Sequence, residues 1–124
     1  MTTVYSPTDS WVTKVGNIGK PLKVQLRDSN GPIDLTGSTI RFIMRPAGQT
    51  LASSNIVNAP AVLVAALTGE VKYLWVTADL DAAGDFWGEF EVTYPSGELV
   101  SWPTSKTKVP GGRYIKIEVQ PSLA

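Results

Sequence analysis

The chain has 124 residues, a length that predicts one domain with a buried core. Eleven basic and eleven acidic residues give a formal net charge of zero, so electrostatics offers no reason to expect a nucleic acid or an anionic membrane as partner. Cysteine and histidine are both absent, which excludes disulfides, thiolate metal sites, a cysteine nucleophile and the commonest general base. These features favour a binding or assembly module over an enzyme.

The sequence predicts a single domain covering 1–124, of which residues 1–10 are an extended N-terminal segment. They lack the basic start and the long apolar run of a signal peptide. The longest apolar stretch, Ala59 to Leu67, is interrupted by Pro60 and is too short to span a bilayer. We therefore expect a soluble protein that is made in the cytoplasm.

Alternating apolar and polar residues predict strands through most of the chain. Turn-forming residues separate them, among them Asn30-Gly31 and Pro95-Ser96-Gly97. Around 78–84 the sequence predicts one helical turn, which Asp79 or Asp81 would cap. The predicted strands cover 22–27, 39–45, two short edge pieces within 56–67 interrupted at 58–60, 71–75, 86–94, 98–102 and 113–119.

This spacing decides the predicted fold class. Seven or eight short strands, with turn signals about every ten to fifteen residues and no long amphipathic helix, are typical of an all-β, antiparallel β-sandwich. A small barrel is the alternative, and periodicity does not separate the two.

A family resemblance rests on two segments, DLTGSTIRFIMRP at 34–46 and TGEVKYLWVTADLDAAGDFWGEFEVTYPSGELVSWP at 68–103. They resemble the N-terminal immunoglobulin-like domain of the baseplate upper proteins of tailed bacteriophages. The pattern is an Asp-Leu-Thr-Gly turn before an Arg-Phe strand, then a Gly-x-Val-x-Tyr-x-Trp strand. An acidic turn follows into Gly-x-aromatic-x-Gly-x-Phe-x-Val-x-Tyr, and a hairpin then leads into a closing aromatic-Pro. The matching positions are Asp34, Leu35, Thr36, Gly37, Arg41, Phe42, Gly69, Val71, Tyr73, Trp75, Asp81, Gly84, Phe86, Gly88, Phe90, Val92, Tyr94, Trp102 and Pro103.

The resemblance implies an immunoglobulin-like sandwich and a non-enzymatic structural protein of a phage virion. Its role would be a tail or baseplate adaptor or assembly module that binds other virion proteins, in multiple symmetric copies and without a cofactor. In baseplate upper proteins this domain usually heads a longer chain with an oligomerising stalk, whereas this sequence stops at Ala124. A head decoration protein of the same fold therefore stays open.

The outward residues of the 86–94 strand carry the candidate interface. Trp87 lies among Glu89 and Glu91 in the alternation, so it points away from the core face. An exposed tryptophan is a subunit-contact anchor, a sugar-stacking platform or a cover for the sheet edge. We favour subunit contact and expect Trp11 and Trp102 on the same surface.

Two further assignments concern the remaining tryptophan and the arginines. Trp75 is expected in the core. Arg41 and Arg45 form a weak basic stripe, for which we prefer salt bridges to the glutamates of the neighbouring strand over phosphate binding. If the chain instead binds host-surface glycans, the stacking residues would be Trp87, Trp102 and Tyr114.

Carboxylates supply the enzyme and metal alternatives. The α-carbons of Glu89 and Glu91, two residues apart on a strand, are expected to lie about 7 Å apart. This separation is compatible with glycoside hydrolysis and equally with a solvated face. Asp79, Asp81 and Asp85 could hold calcium, but their spacing matches no known calcium loop. We favour turn capping for these aspartates and predict neither a catalytic nor a metal site.

Overall fold

The computed structural model describes residues 3–4, 10–28, 31–49, 51–102 and 115–122. Short 3₁₀ turns cover Ala52–Ser54, Ala66–Thr68 and Thr77–Leu80. In the described part of the chain no helix is long and apolar enough to cross a membrane. The strands are β1 (Thr3–Val4), β2 (Ser10–Lys14), β3 (Leu22–Gln25), β4 (Arg27–Asp28), β5 (Gly31–Pro32), β6 (Thr39–Pro46), β7 (Val57–Pro60), β8 (Val62–Ala65), β9 (Glu70–Tyr73), β10 (Gly84–Thr93), β11 (Leu99–Trp102) and β12 (Ile115–Gln120).

Two large sheets form the domain, and together they confirm the predicted all-β sandwich. A third sheet consists of the short antiparallel pair β4–β5. One large sheet has the order β1-β3-β9-β8, and the other has the order β2-β12-β10-β6-β7 with β11 also beside β10. Most pairs are antiparallel, as expected. The pairs β1–β3 and β2–β12 are parallel, which departs from the expectation, because the two N-terminal strands each add to the outside of a different sheet.

The strands outnumber the seven or eight expected because β1 and β2 form in the N-terminal part, where no strand was predicted, and because the short antiparallel pair β4–β5 follows β3. β11 pairs with Phe90–Thr93 of β10 and β12 pairs with Gly84–Gly88, so both lie end to end along one side of β10, connected by residues 103–114. In immunoglobulin lettering, β11 and β12 together correspond to strand G. The strands β1, β3, β6, β7, β8, β9 and β10 then correspond to A, B, C, C′, D, E and F. The two large sheets have the orders ABED and GFCC′, with β2 added beside G. These orders are compatible with the immunoglobulin-like topology, which stays a prediction.

The region 56–67 contains two short edge strands, as predicted, but the break lies at Ala61 rather than at 58–60. β7 ends the six-stranded sheet and β8 ends the four-stranded sheet, so the chain changes sheets between them. Ala61 marks the change, and its N–H donates to the carbonyl of Ile40 at 2.9 Å. The predicted hairpin at 95–97 is confirmed, because the N–H of Tyr94 donates to the main-chain carbonyl of Glu98 at 2.9 Å.

Aromatic rings join the two sheets at the centre of the core. Phe42 of β6 is fully buried, and its ring centroid lies 4.8 Å from Tyr73, 5.7 Å from Trp75 and 5.0 Å from Phe90. Tyr73 and Trp75 belong to the end of β9 and the residues after it, so Phe42 reaches across the sandwich. The prediction that Trp75 is a core residue is confirmed, since it is 4% exposed.

Gly88 of β10 makes room for this cluster. A Cβ at this position would lie 2.9 Å from the ring of Phe42 and 2.9 Å from the Cδ1 of Ile117, closer than such carbons approach in proteins. Since both neighbours are buried on adjacent strands, neither can move without disturbing the core.

Gly88→Ala should therefore lower the free energy of unfolding by about 1–3 kcal/mol, the usual cost of overpacking. Gly19→Ala is the matched control, because no atom lies within 4 Å of the position that an alanine Cβ would take there; it should change stability by no more than about 1 kcal/mol. Urea titration followed by tryptophan fluorescence measures both. Equal stability of the two variants would contradict the packing assigned to Gly88.

The predicted helical turn is the 3₁₀ turn Thr77–Leu80, and Asp79 rather than Asp81 caps it. The Oδ2 of Asp79 accepts a bond from the N–H of Val76 at 2.9 Å and one from the hydroxyl of Tyr73 at 2.6 Å. Tyr73 and Asp79 are both buried. Burial, and then the bond to Asp79, raises the pKa of the Tyr73 hydroxyl above its ordinary value of 10.0.

This raised pKa predicts a loss of stability at alkaline pH. Above about pH 10 the unfolded chain releases the Tyr73 proton while the folded chain retains it, so stability falls as pH rises. Tyr73→Phe should make this fall less steep, and it should cost about 1–3 kcal/mol at pH 8 because the buried carboxylate loses one donor. Urea unfolding at pH 8 to 11 is the measurement.

Tyr94→Phe is the control for this experiment, since Tyr94 is only half-buried. It should leave the alkaline fall in place. An unchanged slope in Tyr73→Phe would show that the Tyr73–Asp79 bond does not govern the alkaline limb.

Several expectations lie partly or wholly outside the described residues. They are the extended segment at 1–10, apart from the strand residues in β1 and Ser10, Asn30 of the Asn30-Gly31 turn, and residues 113–114 of the last predicted strand. The single-domain boundary 1–124 stays a prediction.

Candidate docking face

The outer face of the six-stranded sheet carries most of the predicted interface residues. From Phe86 to Thr93, β10 alternates buried and half-buried residues. The buried ones point to the core, so Trp87, Glu89 and Glu91 lie on the outer face, as the alternation predicts. Across the β10–β6 pair, Trp87 lies opposite Arg45, Glu89 opposite Ile43 and Glu91 opposite Arg41.

We call these six residues the β6–β10 face. Its centre is shielded from solvent: Ile43 is only 8% exposed although its register places it on the outer side, and Glu89 opposite is half-buried. The face therefore combines a half-buried aromatic ring with side chains of both signs of charge.

Glu89 is the electrostatically unusual residue of this face. Burial raises the pKa of its carboxyl above the ordinary 4.5, the charge of Arg45 lowers it, and the charge of Glu91 raises it again. Burial is the largest of the three effects, so ionised Glu89 is less well solvated in the folded chain than in the unfolded chain.

The two arginines behave differently. Arg41 lies opposite Glu91, but its guanidinium donates to the side-chain Oδ1 and the main-chain oxygen of Asn58 on β7, each at 2.9 Å. Arg45 is the arginine whose charge acts on Glu89. Of the two expected arginine–glutamate pairings, the charge of Arg45 therefore acts on Glu89. Arg41 instead donates its hydrogen bonds to Asn58 of β7.

Trp11 and Trp102 are not on the same face as Trp87. The ring of Trp11 stacks on Trp75 with centroids 5.3 Å apart and planes 20° apart, and it packs against the core. Trp102 lies opposite Phe90 across β10–β11 and is also packed against the core. The structure therefore does not bring these two side chains to the predicted common surface, because their positions in register place them on the inner side.

A cleft of about 340 Å³ lies beside Trp87 on the outer face. Its polar lining consists of Asp85, Lys116 and Glu118, with Asp85 and Glu118 directly opposite each other across β10–β12. Lys116 and Glu118 were not among the predicted site residues, and Asp85 was considered only as a calcium ligand. Their proximity depends on the pairing of two strands far apart in sequence, and no local pattern in either strand signals it.

The positions of the carboxylates bear on the glycosidase and calcium alternatives. The cleft beside Trp87 is lined by neither Glu89 nor Glu91. Of the three candidate calcium ligands, Asp79 is buried and bonded to Tyr73, and within the described ranges no group of three or more potential ligands is close enough to hold a metal ion. Tyr114, proposed for sugar stacking, lies outside the described residues.

No protein family and no curated protein matches the sequence. The N-terminal domain of phage TP901-1 ORF48 is similar in structure, with a TM-score of 0.64 and 15% identity, over 97% of this chain and 99% of that chain. CopC from Methylosinus trichosporium OB3b has a TM-score of 0.49 and 15% identity, over 95% of this chain and 90% of that chain. The first likeness shows a shared fold, and the second is too weak to support an argument.

Glu89→Gln should stabilise the free chain at pH 7. Between pH 4.5 and the raised pKa, folded Glu89 retains a proton that the unfolded chain has lost, so its contribution to stability is present below pH 4.5 and is lost as pH rises. The variant lacks this penalty, and its advantage should shrink below pH 4.5. Urea unfolding from pH 3.5 to 8 measures it.

Glu98→Gln, at an exposed hairpin position, is the control and should show no such pH-dependent gain. A Glu89→Gln variant that is less stable than the parent at pH 7 would mean that the ionised carboxylate makes a net stabilising contact, contrary to the prediction.

Proposed function

We propose that this chain is a non-enzymatic structural protein of a bacteriophage virion. It serves as an adaptor or assembly module of the tail or baseplate and binds other virion proteins in multiple symmetric copies. The sequence resemblance to baseplate upper proteins supports the setting, and so does the fold shared with the N-terminal domain of phage TP901-1 ORF48. A head decoration protein of the same fold differs only in its place in the particle.

The β6–β10 face is the observation on which the docking role rests. Trp87 offers an aromatic anchor, the residue type most often found at the energetic centre of interfaces. Glu89 and Arg45 lie beside it and carry opposite charges on adjacent strands. Because both strands belong to the centre of the sheet, the backbone that presents these groups is held rigidly.

Burial of Glu89 indicates what a partner would supply. An ionised, half-buried carboxylate is poorly solvated in the free chain, so a cation or N–H donor from a partner would gain more there than at a fully exposed glutamate. The partner surface is therefore expected to place a basic or amide group against Glu89 and an apolar group on Trp87.

Trp87→Ala should reduce incorporation of the chain into particles by at least about tenfold, because a central aromatic anchor is worth about 2 kcal/mol or more. Ile18→Ala, which removes an exposed apolar side chain outside the β6–β10 face, is the control and should incorporate normally. Circular dichroism and the unfolding midpoint establish that both variants fold. Copies per particle are counted in purified virions, and cryo-electron microscopy locates them in head or tail.

Two outcomes would count against the proposal. Absence of the parent chain from every purified virion would end the structural role. Normal incorporation of Trp87→Ala would remove the β6–β10 face as the docking surface.

The cleft beside Trp87 favours carbohydrate binding as the second candidate. An aromatic ring flanked by carboxylates and an ammonium group provides the stacking surface and polar contacts that a sugar needs. Binding on a glycan array that is lost both in Trp87→Ala and in Lys116→Ala would support it. Lys116 lies in the cleft but outside the β6–β10 face, so its variant separates sugar binding from protein docking.

A further inference from the structure

The outer edge of β8 has no strand beside it in the described structure. β8 is the last strand in the order β1-β3-β9-β8, and its only pairing there is with β9. An edge strand presents N–H and C=O groups that another strand can pair with, and proteins usually protect such edges with charges, proline or a covering segment.

The sequence around β8 carries no charge at all. Residues 46–69 contain no Asp, Glu, Lys or Arg, although these make up 18% of the chain. Val62 and Val64 of β8 are exposed, the latter by 51%, and Leu67 in the following turn is 75% exposed. An uncharged, β-branched and exposed edge is the type that associates.

The edges at β7 and β2 are protected in ways that β8 is not. β7 contains Pro60, which has no N–H to donate, and its Asn58 is occupied by Arg41. β2 carries Lys14, an exposed charge. The one irregularity of β8 is a register shift between Leu63 and Ala65, a bulge that limits the length of any added pairing.

We propose that β8 pairs antiparallel with β8 of a second copy of this chain across a two-fold axis. A two-fold contact sets each surface against itself, so a charged strand would meet its own charges, whereas β8 has none. With the axis at Leu63, Val62 of one copy faces Val64 of the other on the exposed side, and β-branched cross-strand pairs stabilise a sheet. The two four-stranded sheets then become one continuous sheet.

This contact is short and therefore weak. Four paired residues bury less surface than a stable interface needs, so the dissociation constant of the free chain is expected on the order of 1 mM. Many copies held on one particle would raise the effective concentration and make such a contact significant. The contact itself is independent of the β6–β10 face, and only its significance on a particle rests on the proposed function.

A concentration series of the free chain tests the proposal. Sedimentation velocity from about 0.02 to 2 mM should show a monomer–dimer equilibrium. Amide NMR shifts should change with concentration at residues 62–65. Val64→Lys should weaken dimerisation at least tenfold, because the two-fold axis brings the two new charges close together. Val12→Lys is the matched control and should dimerise like the parent, since Val12 on the β2 edge is 52% exposed against 51% for Val64.

Three outcomes overturn the proposal. One is a chain that stays monomeric up to about 2 mM, and another is dimerisation that Val64→Lys leaves unchanged in a folded variant. The third is a monomer whose 62–65 amides shift only when purified virion proteins are added, since the occupant of the edge would then be a foreign strand. Unfolding midpoints exclude misfolding, and Val62→Lys provides a second charged variant if Val64→Lys is unstable.

Discussion

Contact between Phe42 and the aromatic residues of the opposite sheet is the constraint on which the rest of the structure depends. The ring of Phe42 lies at the middle of the six-stranded sheet. It contacts Tyr73, the last residue of β9 in the four-stranded sheet, and Trp75 just after that strand. It occupies the volume that a side chain at position 88 would need, and so requires glycine there. With Phe42 and its register partner Phe90 both facing inward, every second residue of β10 must face outward. The β6–β10 face is therefore a direct consequence of how the core packs.

Period-two alternation is a local signal, and the parts of the structure that follow from it could be predicted. The outward position of Trp87 and the core position of Trp75 are examples. Trp11 and Trp102 were not predictable in this way, because the inward direction of a short edge strand depends on the strand that it joins. Trp11 faces inward since β2 pairs in parallel with β12, and no pattern within residues 10–14 indicates that partner. The same reason explains why Lys116 and Glu118 of the cleft were missed.

Charge is distributed unevenly over a chain whose formal net charge is zero. The central strands β6 and β10 carry basic and acidic residues on their outer side, while residues 46–69, which include both β7 and β8, carry none. Charged groups give orientation and selectivity to a contact, whereas an uncharged strand edge gives main-chain pairing with little selectivity. The two proposals use this difference: the face is assigned to a specific foreign partner, and the edge is assigned to a second copy of the chain.

A raised carboxyl pKa such as that of Glu89 is compatible with two functions. In glycosidases it maintains an acid in its protonated form, and at a binding surface it indicates a charge that awaits a partner. Acid catalysis also needs a second carboxylate and a sugar site shared by both, but the cleft beside Trp87 is lined by neither Glu89 nor Glu91. Docking needs only a positively charged group of a partner protein beside the carboxylate of Glu89. In the proposed docking role, a partner that supplies this charge would compensate a carboxylate that burial desolvates in the free chain.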